Sequence, residues 1–269
     1  MYKSIIFNKI NISAHIRFLF SVYLNGILFF TLLRFILLCT KADTLPKEDY
    51  GFLFTSFVFG FRFDTCVSCY ILSLPFLLLF IGFLFHQIRK IFFALSYYFI
   101  LVFYCIAFFI CCADIPYYNY FSSRITTASL LWIDSPVFML KMIFGEFTYW
   151  IYFILFFLII FLFVRRMNKT KSKIMTKYFH QTNNFSWKNG IIFFVFAGLL
   201  FLGIRGRISE KSPIRTGTAY FCNNNFLNQL GLNGAFTFIT SVIEDSKAEN
   251  QQLNLMNDEE AITYAKKKS

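Results

Sequence analysis

Charge is scarce in this sequence. Asp, Glu, Lys and Arg make up 15% of its 269 residues, where a soluble domain carries about 25%. Only 14 residues are acidic and three are histidine, which leaves few metal donors or general acids and bases. Glycine and proline are also sparse, at 12 and 5. No Gly-rich phosphate loop is present, and neither the GxxxxGK[ST] nor the GxSxG pattern occurs. No internal repeat is found. Nucleotide-cradling loops, hydrolase elbows and solenoids are thereby excluded.

What fills the space instead is apolar. Hydrophobic residues account for 57% of the chain, 41 of them Phe, and the mean hydropathy is +0.58. One soluble core cannot hide that much apolar surface, so the bilayer must act as solvent. The fold class expected is an all-α integral membrane protein of about five transmembrane helices, with interfacial helices on the outer face. Apolar runs place the helices at about 18–40, 63–85, 91–112, 147–164 and 190–204, within a transmembrane domain of residues 1–204. The first run is too long for a signal h-region and reads as an uncleaved anchor. The charged motif FRFD at 61–64 interrupts the second apolar stretch, so residues 51–62 are assigned to the interface. Pro75 falls inside the second span, where a kink is expected. Residues 205–243 are expected to form outer juxtamembrane amphipathic helices, and 244–269 a polar linker.

Orientation follows from the cations. With the N-terminus inside, Lys3, Lys9, Arg17, Arg89, Lys90, Arg165, Arg166, Lys169, Lys171, Lys173, Lys177 and Lys188 are cytoplasmic. None of the acidic residues is, whereas Asp43, Glu48, Asp49, Asp64, Asp114, Asp134 and Glu146 flank outer ends. A multi-pass arrangement with the N-terminus inside and the C-terminus outside is therefore expected. The net charge of +12 is then explained by anionic lipid headgroups beside basic loops, with no nucleic-acid partner.

Cysteine and histidine offer little chemistry. Seven Cys is an odd number, so at least one thiol stays unpaired within the chain. Disulfides among Cys39, Cys66, Cys69, Cys111 and Cys112 are geometrically conceivable. The CxxC of Cys66 and Cys69 stands in a membrane helix without a thioredoxin-like strand pattern, and small-apolar packing accounts for it. His15, His86 and His180 all fall on the cytoplasmic side, so no outward metal-ligand set is available. Neither a catalytic residue, a metal site nor a cofactor is assigned to this chain.

The remaining candidates are charges at the outer helix ends. Arg62 and Asp64 flank Phe63, as an ion pair, a clamp to another helix, or a substrate contact. Arg34, alone in the first run, is expected to snorkel to the interface. Arg124 lies in a loop, 113–146, whose Tyr117, Tyr118, Tyr120, Phe121 and Trp132 suit a position on the membrane surface. Arg205, Arg207, Lys211 and Arg215 form a cluster just outside the last helix. Such a cluster opposes the positive-inside tendency and calls for a partner. Either an anionic phospholipid headgroup or the carboxylates Asp64, Asp114 and Asp134 would serve.

Three segments carry a resemblance. FGFRFD at 59–64, ADIPYYNYF at 113–121 and RGRISEKSPIRTGTAYFCNNNFLNQLGLN at 205–233, with the five-helix layout, look like the membrane half of the lipoteichoic acid synthase, or phosphoglycerol transferase, family. That family is related to sulfatases and alkaline phosphatases. One departure is Gly234, where the family pattern has proline after the asparagine. The resemblance implies the cell inner (cytoplasmic) membrane as the location and, beyond the 244–269 linker, a soluble outer catalytic domain, in cis or in trans, carrying a metal-bound Thr or Ser nucleophile. A divalent metal is implied for that domain alone. No residue of this chain matches the nucleophile motif, so the expectation is the N-terminal membrane domain of a truncated or split enzyme, acting on lipid-linked substrates and not catalytic alone. The alternatives are a membrane scaffold without ligand and a small transporter component. The absence of a repeat and of midplane charges argues against transport.

Overall fold

The structure is a computed structural model and describes residues 14–85, 89–134, 145–180, 187–207 and 213–247. The chain is an all-α membrane protein, with no strand among the described residues. Five long helices come first: α1 (Ala14–Lys41), α2 (Leu53–Leu84), α3 (Arg89–Phe121), α4 (Phe147–His180) and α5 (Trp187–Arg205). Two short ones follow, α6 (Asn225–Leu230) and α7 (Gly234–Asp245). Among the described residues four helices are long and apolar enough to cross a membrane, and the apolar part of α5, Gly190–Arg205, is shorter.

In α1 the residues turned inward are Phe18, Leu19, Val22, Gly26, Phe29, Phe30, Leu33 and Leu37, spaced three and four apart as one helical face requires. Phe20, Leu24, Leu28 and Phe35 on the other face are exposed. Both faces are apolar, because one meets protein and the other meets lipid. α2 is the hub, packing on α1, α3 and α5, while α4 packs on α1 and α3.

Aromatic rings fill the centre. Phe30 and Phe108 sit 5.1 Å apart between centroids, Phe108 and Phe163 5.2 Å, and Tyr104 and Phe163 5.1 Å. Offset and edge contacts of this kind contribute about 0.5–1.5 kcal/mol each beyond the area they bury. Gly26 makes this possible, since a Cβ there would stand 2.5 Å from the Tyr104 ring. Small residues are what let membrane helices approach closely. Phe193 plays the corresponding part for α5, with its ring 5.1 Å from both Phe80 and Phe83 of α2.

Several helices run further than apolar content alone suggested. α2 passes unbroken through Arg62 and Asp64, so the second helix starts at Leu53 and not at 63. Asp64 is neutralised by Arg34 and Arg62 donates to the Gly206 carbonyl, so neither charge has to leave the helix for water. α3 extends through Pro116 to Phe121, so the ADIPYYNYF segment is the last part of a helix and not a surface loop. α4 carries its basic stretch 165–180 as continuous helix, where a loop was expected. Lys171 there lies 4.2 Å from the Tyr97 ring centroid, and the Tyr97 hydroxyl donates to Asn168 Oδ1 at 2.6 Å.

The C-terminal ends of α1, α3 and α5 and the N-terminal end of α2 gather at one end of the bundle. Residues 213–247 cover it, so we call it the cap end. Its helix α7 is two-sided, with Ala235 and Phe236 buried and Ile239, Val242 and Ile243 exposed. Leu227, Leu230 and Ala235 are fully buried against the bundle.

Candidate functional site

The two short cap helices meet at residues 231–233, and that junction creates an electrostatic problem. The C-terminal carbonyls of α6 have no intrahelical partner and neither do the first amides of α7. Water cannot reach them, because Leu230, Leu232 and Asn233 are all buried. Four charged side chains from the bundle solve it.

Arg34 of α1 makes a two-pronged pair with Asp64 of α2, Nη1 to Oδ2 at 2.6 Å and Nη2 to Oδ1 at 2.8 Å. Its remaining donors reach the cap: Nε to the Leu230 carbonyl at 2.9 Å and Nη2 to the Leu232 carbonyl at 3.3 Å. Arg124, just beyond α3, repeats the arrangement with Asp114. Its Nη1 pairs with Asp114 Oδ2, Nε donates to the Gln229 carbonyl at 2.8 Å and Nη2 to the Leu232 carbonyl at 2.9 Å. The Leu232 carbonyl therefore accepts from both guanidiniums. Planar, forked donors suit this use, which a lysine could not reproduce.

The carboxylates serve the other helix. Asp64 Oδ1 accepts from Asn233 Nδ2 at 2.8 Å, while Asn233 Oδ1 caps α7 by accepting from the Ala235 and Phe236 amides at 2.9 and 3.2 Å. Asp114 Oδ1 accepts from the Ile125 amide at 2.8 Å. Cations thus stand at the end of α6 and anions at the start of α7, the signs each helix end favours. Ser56 adds a hydrogen bond to the Leu227 carbonyl at 3.0 Å, and Asn224 one to Asp49 at 2.6 Å.

Two glycines are required by this geometry. At Gly60 a Cβ would run into the Arg34 guanidinium, and at Gly234 it would stand 2.7 Å from an Asp114 carboxylate oxygen. Gly234 is also the position where the resembled family has proline, and as the bundle is packed here no larger residue fits.

Arg34, Asp64, Asp114 and Arg124 are 4, 0, 1 and 7% exposed, and the void that Arg34, Asp114 and Arg124 border is about 20 Å³, room for about one water. The set is charge-balanced, hydrogen-bonded and closed. It is a lock that holds the cap, with no space for a substrate. Among the described residues no group of three or more His, Cys, Asp or Glu could hold a metal ion.

These positions sort the candidate residues. Asp64 and Arg124 are structural ion-pair members. Arg34, expected to snorkel, is instead buried in the lock, because Asp64 gives it a partner in low dielectric. Its importance could have been read from its being the one charge in an apolar helix, since such a charge demands an opposite one. Asp64 and Asp114 are paired with Arg34 and Arg124, so they do not neutralise the cluster that follows α5. Of that cluster, Arg205 and Arg207 are half-buried and Arg215 is exposed, while Lys211 lies outside the described residues. Arg62 is also half-buried, its Nη2 3.0 Å from the Gly206 carbonyl and its guanidinium 5.4 Å from the Phe59 ring centroid. All seven cysteines are unpaired thiols.

Comparison with protein-family models, with curated proteins and with solved structures gives no match to this chain.

Proposed function

We propose that this chain is the membrane domain of a sulfatase-like phosphoglycerol, or phospho-group, transferase acting on lipid-linked substrates at the outer face of the cytoplasmic membrane. In this reading the cap end faces outward and presents residues 213–247 to a soluble catalytic domain, in cis or in trans. One observation carries it. The three segments behind the family resemblance, far apart in sequence, converge on the lock: Asp64 from FGFRFD, Asp114 from ADIPYYNYF, and the carbonyls and Asn233 of the 205–233 segment. Motifs that meet in space constrain one another, which hydrophobic helices matching by chance do not.

The outward placement of the cap end is supported by charge. Arg17, Arg89, Lys90, Arg165, Arg166, Lys169, Lys171 and Lys173 belong to the opposite end of the described helices, the side that Lys and Arg hold in the cytoplasm. A scaffold without ligand is the second reading, favoured by the closed and neutral character of the lock.

Two measurements test the proposal in the native cell. Ser246→Cys should react with a membrane-impermeant maleimide in intact cells, above the background of the native thiols, and Ser172→Cys only after permeabilisation. Deleting the chain should lower incorporation of labelled glycerol phosphate into the envelope by tenfold or more. Unchanged incorporation with the expected labelling would leave the scaffold reading standing and remove the transferase.

A further inference from the structure

Beside the lock, between α2 and the end of α5, is a cleft of about 490 Å³, within the range of about 300–1,000 Å³ that small-ligand sites occupy. Its α2 wall is Phe61, Arg62 and Thr65, and its α5 wall is Leu202 and Gly203, continued by Gly206 and Arg207. The backbone shapes it. Gly203 packs against Cys69 too closely for any side chain, and Gly206 adopts φ 65°, turning the chain as α5 ends so that residue 207 lines the same cavity. Only glycine takes that conformation without strain.

Among the described residues two cations, Arg62 and Arg207, and no carboxylate line this cleft. Both ion pairs among the described residues are those of the lock, so neither Asp64 nor Asp114 serves here. Asp64 is two residues from Arg62, which on a helix puts it on a different face, turned to Arg34. The hydrogen bond to Gly206 and the Phe59 ring fix the Arg62 guanidinium while using one of its five N–H donors. The lips are apolar. Phe61 and Leu202 are 50% and 46% exposed, on helices whose exposed faces meet lipid.

We propose that this cleft holds the anionic headgroup of a membrane amphiphile, its phosphate bridged by Arg62 and Arg207 and its hydrocarbon running down past Phe61 and Leu202. A fixed guanidinium recognises a phosphate through paired, charge-assisted hydrogen bonds, and the Thr65 hydroxyl, 2.9 Å from that of Tyr23, adds a neutral polar group at the cleft wall. The proposal rests on the reading above that the cap end lies at the membrane surface, and it holds with or without a catalytic partner.

The test is lipid binding to the purified full chain in neutral detergent, read by native mass spectrometry with phosphatidylglycerol, phosphatidylcholine and free glycerol 3-phosphate as probes. Phosphatidylglycerol should occupy one saturable site, with phosphatidylcholine at least about tenfold weaker. Arg62→Gln with Arg207→Gln should weaken the phosphatidylglycerol site by about tenfold or more, the effect of losing charge-assisted contacts. Arg207→Lys should retain much of the affinity, and Arg215→Gln, on an exposed residue outside the cleft, should change nothing. If the double variant does not fold, Arg207→Gln against Arg207→Lys carries the comparison. Equal binding of the two lipids, or full affinity in the Gln variants, would overturn the proposal. Displacement by glycerol 3-phosphate at matched concentration would overturn the membrane source and give the site to a soluble phosphate ester. Because binding is read on the purified chain, a negative result removes the cleft assignment and leaves the transferase reading to the incorporation experiment.

Discussion

A single buried charge decides most at the residue scale. Asp64→Ala leaves the Arg34 guanidinium buried with no counter-charge, and the expected loss is about 3–5 kcal/mol, measured as a drop in the unfolding midpoint in detergent. Replacing both partners by apolar residues of similar size, Arg34→Met with Asp64→Leu, should restore part of it, because no ion is then left stranded. The restoration should be incomplete, since the Leu230 carbonyl and the Asn233 amide also lose their partners. Gly60→Ala tests the same contact from the other side. The Arg34 guanidinium that a Cβ would strike is held at four positions and cannot swing away, so roughly 1–3 kcal/mol should be lost to overpacking. Gly217→Ala, where a Cβ meets nothing within 4 Å, should stay within about 0.5 kcal/mol of the parent. Equal effects of the two alanines on the unfolding midpoint would show that Arg34 is not pinned.

Between elements, the junction of α6 and α7 depends on Asn233. Its side chain caps α7 with Oδ1 and bonds Asp64 with Nδ2, so it needs an acceptor and a donor at once. Asn233→Ala should cost about 1–2 kcal/mol and speed hydrogen exchange at the amides of 235 and 236. Aspartate is as good a cap as asparagine in an isolated helix, yet Asn233→Asp should be the worse substitution here. It would set a third carboxylate beside Asp64 and Asp114 and replace a donor with an acceptor. Faster exchange in the Asp variant than in the Ala variant is the expected order, and the reverse would mean that the cap bond alone matters. The basic part of α4 shows the opposite lesson. A run of Lys and Arg reads as a solvated loop, but Met167, fully buried, and the contact of Lys171 with Tyr97 keep it helical along the bundle.

For the whole molecule, body and cap are held by different forces. The body rests on helix packing and its aromatic centre, the cap on buried charge, with further ties from the 3₁₀ turn Thr127–Asp134 to α7 through Ser241 and Asp245. Breaking the lock should therefore free the cap before the bundle. In Asp114→Ala, limited proteolysis should cut within 219–237, which the parent protects, while far-UV circular dichroism stays near its parental value. Simultaneous loss of helicity would mean that the cap is required for the bundle itself.

The sequence by itself determined the class and the helices of this protein, because a bilayer demands long apolar runs and the number and length of such runs can be counted. It also marked the segments that matter, since a charge inside an apolar run is costly enough to need a reason. It did not determine the partners. Arg62 and Asp64 are two residues apart in sequence and look like a pair, but helical geometry turns them to different faces, one toward the cleft and one toward Arg34. Arg34 looked destined for the interface because snorkelling is the default for a lone arginine, and only tertiary structure set a carboxylate and two carbonyls within its reach. The extension of α2 and α3 past their charged and proline-bearing ends was likewise a tertiary decision. The free energy that would have driven Arg34 and Asp64 into water was offset by groups at separations of 30 to 198 residues along the chain, which no local pattern can register.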